Sequence, residues 1–277
     1  MNDEIDILVT LDENYMEPLK VMLTSLYYNN PGETFNIWLI HQAISREKLL
    51  ELNKILNSFN WKLYNEKIDA KLLDGAPTLE RYPKEMYFRL LCGQILPKSV
   101  KRVLYLDPDI LVINPLRELW DLDLEGSMIG AATHTGMTNL TTEINSLRLG
   151  TDHGYYNSGV MVIDLEIARS TIKLQDIDDA INKYNAFLIL PDQDILNYLY
   201  GKYIKEIPEE IWNYDSRKYF SYYTKSFKKH NLQWVMENTS ILHFCGRPKP
   251  WDPKSDGKFT ALYLHYQKFL KRISENL

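Results

Sequence analysis

Between Ile5 and Leu106 the chain switches repeatedly between short apolar runs and segments whose apolar residues recur at helical spacing. That alternation limits the fold more than any other feature. Ile5–Leu11 reads as a buried strand, followed by the polar turn Asp12-Glu13-Asn14. Leu19, Met22, Leu23, Leu26 and Tyr27 then mark a helix, with Pro18 tolerated in its first turn and Asn29-Asn30-Pro31-Gly32 ending it. Phe35–Ile40 is a second strand. Ser45 is placed to cap a helix carrying Leu49, Leu52, Ile55 and Leu56. Trp61–Tyr64 is a third strand, Lys84–Gln94 reads as one helix, and Arg102–Leu106 is a further strand. Such alternation builds a mostly parallel sheet with helices on both faces. Sheets of this kind bind ligands at the carboxyl ends of their strands, where Asp12 and Asp107 both lie.

The second half is less regular. Met128–Ala132 and Val160–Ile163 read as strands, the latter preceded by Asn157-Ser158-Gly159. Residues 136–150 read as a polar loop with helical character, Asp176–Tyr184 and Asp194–Tyr200 as helices, and Trp212–Tyr223 as an aromatic loop. Ser240–Leu242 is a short strand ending at His243, and a last helix runs from about Lys258 toward Arg272. With no linker, repeat or low-complexity segment, the expected organisation is one domain over 1–257 and a C-terminal helix over 258–277.

The segment Val-Leu-Tyr-Leu-Asp-Pro-Asp-Ile-Leu-Val, residues 103–112, carries the chemistry. In an extended chain, side chains two residues apart point the same way, so Asp107 and Asp109 aim at one point. Two such carboxylates repel unless a positive charge lies between them, and Pro108 stiffens the pair. The physical reading is a divalent cation site; the alternative is a solvated turn. Other Asp-x-Asp triplets lack apolar runs on both sides: Asp121/Asp123 sits in a turn, and Asp176/Asp178 opens a helix. His243 ends a strand and precedes Phe244-Cys245-Gly246-Arg247-Pro248-Lys249-Pro250-Trp251, a Gly/Pro loop with two cations suited to a metal–diphosphate site. An imidazole together with carboxylate oxygens favours Mn²⁺ over Mg²⁺, which prefers all-oxygen octahedra.

Composition narrows the remaining choices. The chain has 277 residues, 45% hydrophobic and 25% charged, in the range of an ordinary globule. A net charge of −5 gives no nucleic-acid footprint. Two cysteines exclude a disulfide framework and favour a reducing compartment. The acidic N-terminus lacks the pattern of a signal peptide, and no apolar run is long enough to span a bilayer. The expected location is cytoplasmic, with the inner face of the membrane as the alternative.

Taken in order, Asp12-Glu13-Asn14-Tyr15, Tyr87-Phe88-Arg89-Leu90, Leu104-Tyr105-Leu106-Asp107-Pro108-Asp109, Asn157-Ser158-Gly159-Val160, Pro191-Asp192-Gln193-Asp194-Ile195-Leu196-Asn197 and the loop from His243 to Trp251 resemble glycosyltransferase family 8. That family includes bacterial lipopolysaccharide galactosyl- and glucosyltransferases and the glycogenins. The resemblance covers about residues 5–251. It implies an α/β GT-A glycosyltransferase fold, a single Rossmann-like domain with a mostly parallel mixed central sheet. It also implies a retaining hexosyltransferase that moves glucose or galactose from a UDP-sugar donor to a saccharide or glycolipid acceptor in cell-surface polysaccharide synthesis. Mn²⁺ would be the cofactor, with Mg²⁺ as a substitute.

By motif match, Asp107, Asp109 and His243 would hold the metal. Thr10, Asp12, Asn14 and Tyr15 would meet the uracil and its neighbourhood, Gly246 and Lys249 the diphosphate, and Arg89 the donor near the first metal aspartate. Asn157, Asp192 and Gln193 would line the sugar and acceptor pocket, with Asp192 and Gln193 as the catalytic pair. Plainer readings stand beside these: Arg89 as a structural salt bridge, Asn157 as a turn former, Asp192 as a helix N-cap. His134 takes the place of a frequently acidic residue after the strand at 128–132, which bears on sugar choice.

Two other functions fit parts of the pattern: a catalytically weak sugar-nucleotide-binding or self-glycosylating protein, and a haloacid-dehalogenase-type phosphotransferase. Against the latter, Asp109 is followed by Ile110-Leu111-Val112 rather than small polar residues. The aromatic and basic C-terminal helix reads as packed on the domain, with weak peripheral membrane contact as the alternative. The sequence carries no signal of oligomeric state.

Overall fold

The structure, a computed structural model, describes residues 3–68, 85–133, 148–184 and 190–277. The expectations for Lys84, His134 and most of the polar loop at 136–150 lie outside these residues. Ten strands are described: β1 Ile5–Thr10, β2 Phe35–His41, β3 Lys62–Lys67, β4 Arg102–Leu106, β5 Ile110–Val112, β6 Ile129–Thr133, β7 Tyr156–Asp164, β8 Ile204–Ile207, β9 Tyr214–Asp215 and β10 Ile241–His243.

Seven of them form a sheet in the order β3-β2-β1-β4-β7-β6-β8. The pairings β1–β2, β1–β4, β2–β3 and β6–β8 are parallel, while β7 runs antiparallel to both β4 and β6. The mostly parallel mixed sheet expected from the sequence is what forms. Alternate side chains enter separate cores, as the two-residue period of a strand requires. Ile5, Ile7, Val9, Leu104 and Leu106 join one apolar cluster; Leu8, Val103 and Tyr105 join the other. Both faces are covered, which explains why these strands read as continuous apolar runs.

Parallel strands need crossovers, and helices Met16–Asn29 and Arg46–Ser58 supply the first two. Ser45 holds the N-cap position of the second but makes no side-chain capping bond; its N–H donates to Glu13 Oε1 at 3.1 Å. Helix Thr260–Ser274 buries Tyr263, Tyr266 and Leu270 in the first core. Asn29 Nδ2 donates both to Tyr266 Oη at 2.7 Å and to the Val112 carbonyl at 3.0 Å.

A second, three-stranded sheet has the order β5-β10-β9. β5 and β10 are antiparallel with Ile110 opposite His243, and β9 is parallel to β10 with Asp215 beside His243. The Phe244 N–H extends this ladder to the Asp109 carbonyl at 3.0 Å.

Several local expectations need correction. Residues 84–94 do not form one helix: Glu85–Phe88 and Cys92–Ile95 are separate short helices with turn geometry between them. Arg89 sits in that break, turned toward carboxylates that a continuous helix would not serve. Asn157, Ser158 and Gly159 lie inside β7 rather than before it. The aromatic stretch 212–223 is not a loop but holds the end of helix Glu209–Trp212, β9, and most of helix Tyr219–Lys225. Leu196–Tyr200, read as α-helix, is a π-helical turn continuing helix Pro191–Ile195.

The small sheet is buried at every apolar position, with Ile241 and Leu242 fully enclosed. Leu242→Ala is expected to destabilise the protein by about 2–5 kcal/mol, because the neighbours cannot close the space left behind. Phe227→Ala, at a side chain 89% exposed, should change stability by less than about 0.5 kcal/mol. Urea unfolding of the two variants measures the contrast.

Candidate active site

β4 ends at Leu106, and the chain turns through Asp107-Pro108-Asp109 into β5. The two carboxylates converge as expected, but a turn brings them together rather than strand pleating. Ligand atoms of Asp107, Asp109 and His243 all lie within 4.8 Å of one another. His243 Nε2 is 3.4 Å from Asp109 Oδ1 and 3.9 Å from Asp107 Oδ2. Ligand oxygens and nitrogens about 2.0–2.2 Å from a common ion would lie at such separations, so this donor set fits a divalent cation. Cys245 is not part of the cluster.

The surroundings are built for charge. Arg89 Nη1 bridges Asp107 Oδ1 at 3.2 Å and Asp192 Oδ2 at 3.3 Å. Burial alone would lower its basicity, but Asp107 and its acidic neighbours outweigh that and hold the guanidinium charged. Tyr105 Oη donates to Asp107 Oδ1 at 2.7 Å. Lys249 donates to Asp109 Oδ2 and, at 2.9 Å, to the Phe244 carbonyl. Burial pushes the Asp109 carboxyl up, but His243 and Lys249 together hold it well below the usual carboxylate range. The acid-rich turn is therefore matched by Arg89, from the break between two short helices, and by Lys249, from the loop after β10.

Two cavities flank this centre. One, of about 320 Å³, is lined by Arg89, Asp107, Asp109, Asn157, Asp192, Gln193, Arg217, His243 and Gly246, among others. The other, of about 380 Å³, is lined by Asn14, Tyr15, Arg247, Lys249, Trp251, Asp252 and Pro253. Tyr15 meets Trp251 edge to face, with ring centroids 6.0 Å apart. Lys249 belongs to the second cavity by its lining and to the first through Asp109.

Most expected site residues thus come together, but Thr10 and Asp12 line neither cavity. The Thr10 hydroxyl is buried 3.2 Å from Tyr105 Oη. Asp12 caps a short 3₁₀ turn, Glu13–Tyr15, accepting from the Asn14 N–H at 2.8 Å. Asp192 is not an N-cap: it follows Pro191 inside the helix, where Leu190 is the cap residue.

Asn213 and the Asp215–Arg217 pair were not legible in the sequence. Asn213 Oδ1 contacts His243 Nδ1 at 2.8 Å, and Asn213 Nδ2 reaches Asn157 Oδ1 at 2.8 Å. Asp215, almost fully buried, receives Arg217 through Nε at 3.0 Å and Nη2 at 2.7 Å, which fixes a cation in the wall of the first cavity. Gly246 has φ +74°, and a Cβ there would strike Arg217. A Cβ on Gly159 would run into the His243 ring and come within 2.6 Å of Asp107 Oδ2. The Gly in Asn157-Ser158-Gly159 is thus what lets β7 pass behind the His243 and Asp107 side chains. Gly159→Ala should weaken divalent-cation binding by about tenfold or more, as read by calorimetric titration.

Comparisons with known proteins bear on the family and the fold. The family profile described as "Glycosyl transferase family 8" matches residues 6–255. General stress protein A of Bacillus subtilis (strain 168) is 30% identical over 97% of this chain and 95% of its own length. Lipopolysaccharide 1,2-glucosyltransferase of Escherichia coli is 27% identical over 87% of this chain and 71% of its own. The crystal structure of the galactosyltransferase LgtC with donor and acceptor sugar analogs superposes with a TM-score of 0.81, at 21% identity and 96% coverage of each chain. The expected GT-A fold is borne out by that likeness. On the profile match and the curated relatives, the chain belongs to glycosyltransferase family 8.

Proposed function

We propose that this glycosyltransferase is a metal-dependent, retaining hexosyltransferase. In this reading it moves glucose or galactose from a UDP-sugar to a saccharide or glycolipid acceptor in the cytoplasm, with the inner face of the membrane as the alternative location. The observation that carries it is the convergence of Asp107, Asp109 and His243 beside Lys249, between two cavities. Relatives named for glucosyl and galactosyl transfer support a hexose. The mixed nitrogen–oxygen donor set supports Mn²⁺, with Mg²⁺ as a weaker substitute. No described helix is long and apolar enough to cross a membrane.

The residues divide the work by position. Asn14 and Tyr15 line the cavity that suits the uridine end, with Trp251 against the Tyr15 ring; Asp12 supports that wall through Asn14, while Thr10 lies behind it against Tyr105. A bound Mn²⁺ would supply positive charge to the departing diphosphate. Lys249 is near enough to add a second charge there, and Gly246 leaves room for the phosphates. Fixed charges that face developing negative charge supply a large share of catalysis in such sites. Arg89 holds Asp192 and Asp107 in a common frame, and Asn157 and Gln193 shape the sugar pocket.

Retention then needs either a protein nucleophile or attack from the leaving-group side. Asp192 is engaged by Arg89 Nη1 and, at 3.4 Å, by Ser158 Oγ. Gln193 Oε1 accepts from Asn157 Nδ2 at 3.2 Å and Ser158 N–H at 3.4 Å. Asp192 Oδ2 is engaged by these contacts and Gln193 offers an amide rather than a carboxylate, which supports front-face substitution. The sugar–phosphate bond breaks, the acceptor oxygen bonds to the same face, and its proton passes to the leaving phosphate oxygen.

A panel of nucleotide sugars with Mn²⁺, read by nucleotide release, should give turnover with UDP-glucose or UDP-galactose; turnover confined to a non-uridine donor would refute the reading. Asp109→Asn should lower metal-dependent turnover by on the order of 10²-fold or more, with a thermal melt still showing a folded protein. Full activity in that variant would remove Asp109 from the metal site.

A further inference from the structure

Four buried side chains form one hydrogen-bonded line beneath the site: His243, Asn213, Asn157 and Gln193. The line begins at a backbone group. The Gly159 N–H donates to Asn157 Oδ1 at 2.8 Å. A peptide N–H can only donate, so the end of the Asn157 amide facing it is oxygen. That oxygen also faces Asn213 at 2.8 Å, so Asn213 must turn its NH₂ toward it. Asn213 therefore turns its oxygen toward His243 Nδ1, 2.8 Å away. An oxygen there requires a proton on Nδ1, which in the neutral ring leaves the lone pair on Nε2. Nε2 is the atom facing Asp109 and Asp107.

The fold places Asn213 where this is possible. It closes helix Glu209–Trp212, with its N–H bonded to the Glu209 carbonyl at 3.0 Å, and immediately precedes β9, which lies beside β10. From the other end of Asn157, Nδ2 reaches Gln193 Oε1, so the orientation of one peptide unit is carried in two directions.

We propose that Asn213 is a positioning residue: it fixes the tautomer and ring plane in which His243 offers Nε2 to the metal, and it couples that ligand to Asn157 and Gln193. The inference rests on the metal-site reading above, and the following test separates the two. Mn²⁺ is titrated calorimetrically into the full-length wild-type protein and into Asn213→Leu and Asn213→Asp. Nucleotide release is then measured at saturating Mn²⁺, with a thermal melt of each protein. Asn213→Leu removes the acceptor for Nδ1–H and should weaken Mn²⁺ binding about 10–100-fold. Asn213→Asp keeps an oxygen toward Nδ1–H but sets a second oxygen against Asn157 Oδ1. It should keep Mn²⁺ affinity within about threefold while losing roughly tenfold in turnover, since the disturbance falls on the sugar-side pair.

A merely supportive role would lower the melting temperature without this split between binding and turnover. Wild-type Mn²⁺ affinity in folded Asn213→Leu overturns the proposal and leaves the metal site intact. Should Asn213→Leu not fold, loss of Mn²⁺ binding in Asn213→Asp to the level of His243→Ala overturns it equally. A wild-type protein that binds no Mn²⁺ overturns the metal reading itself.

Discussion

The site depends on one short antiparallel pairing. β5 and β10 are each three residues long, yet their register sets Ile110 across from His243 and ties Phe244 to the Asp109 carbonyl. Residues more than a hundred positions apart are thereby held at ligand distance. A slip of one residue would turn the imidazole to the opposite face of this small sheet. The register is protected because Leu111, Val112, Ile241 and Leu242 are fully buried in the core, so a slip would drive the polar imidazole against apolar side chains and away from its Asn213 partner. β9 secures the other edge of β10 and sets Asn213 and Asp215 on either side of Tyr214.

Charge is the second constraint. Asp107, Asp109 and Asp192 crowd one cavity wall, and such a group is stable only when compensated. Arg89 spans two of the acids, Lys249 takes the third, and the Arg217–Asp215 pair adds a fixed dipolar brace nearby. Lys249 has a double allegiance. While it neutralises Asp109 it stands on ground that an arriving cation would claim, and it is long enough to turn toward the neighbouring cavity. The two cavities are thus joined by one connected electrostatic arrangement.

Much of this was legible in the residues. The middle of the central sheet was legible because strands such as β1, β2 and β4, buried on both faces, are largely apolar, whereas the edge strand β8, Ile-Lys-Glu-Ile, was not legible as a strand. The Asp-x-Asp turn and the histidine loop were visible because each interrupts apolar sequence with charge. The small sheet was harder, since β5, β9 and β10 are too short to show a period, and β5 reads as a continuation of β4. Asn213 was hidden for a related reason: its neighbours Trp212 and Tyr214 gave the stretch an aromatic character that masked a helix end followed by a strand. Gly159 was noticed as part of a motif, but the need for a missing Cβ is a property of contact with His243 and Asp107. The split of residues 84–94 likewise follows from where Arg89 must reach, and helical periodicity carries no trace of that demand.

Asn29 holds a consequence for the far end of the molecule. Its side-chain amide joins the Tyr266 hydroxyl of the last helix to the Val112 carbonyl at the end of β5. The C-terminal helix is in this way a distant buttress of the strand that follows the Asp107–Asp109 turn. Trimming or fusing that terminus would be felt, through this amide and the Tyr263 ring against Phe244 and Trp251, as slack beneath the Asp107–Asp109 turn.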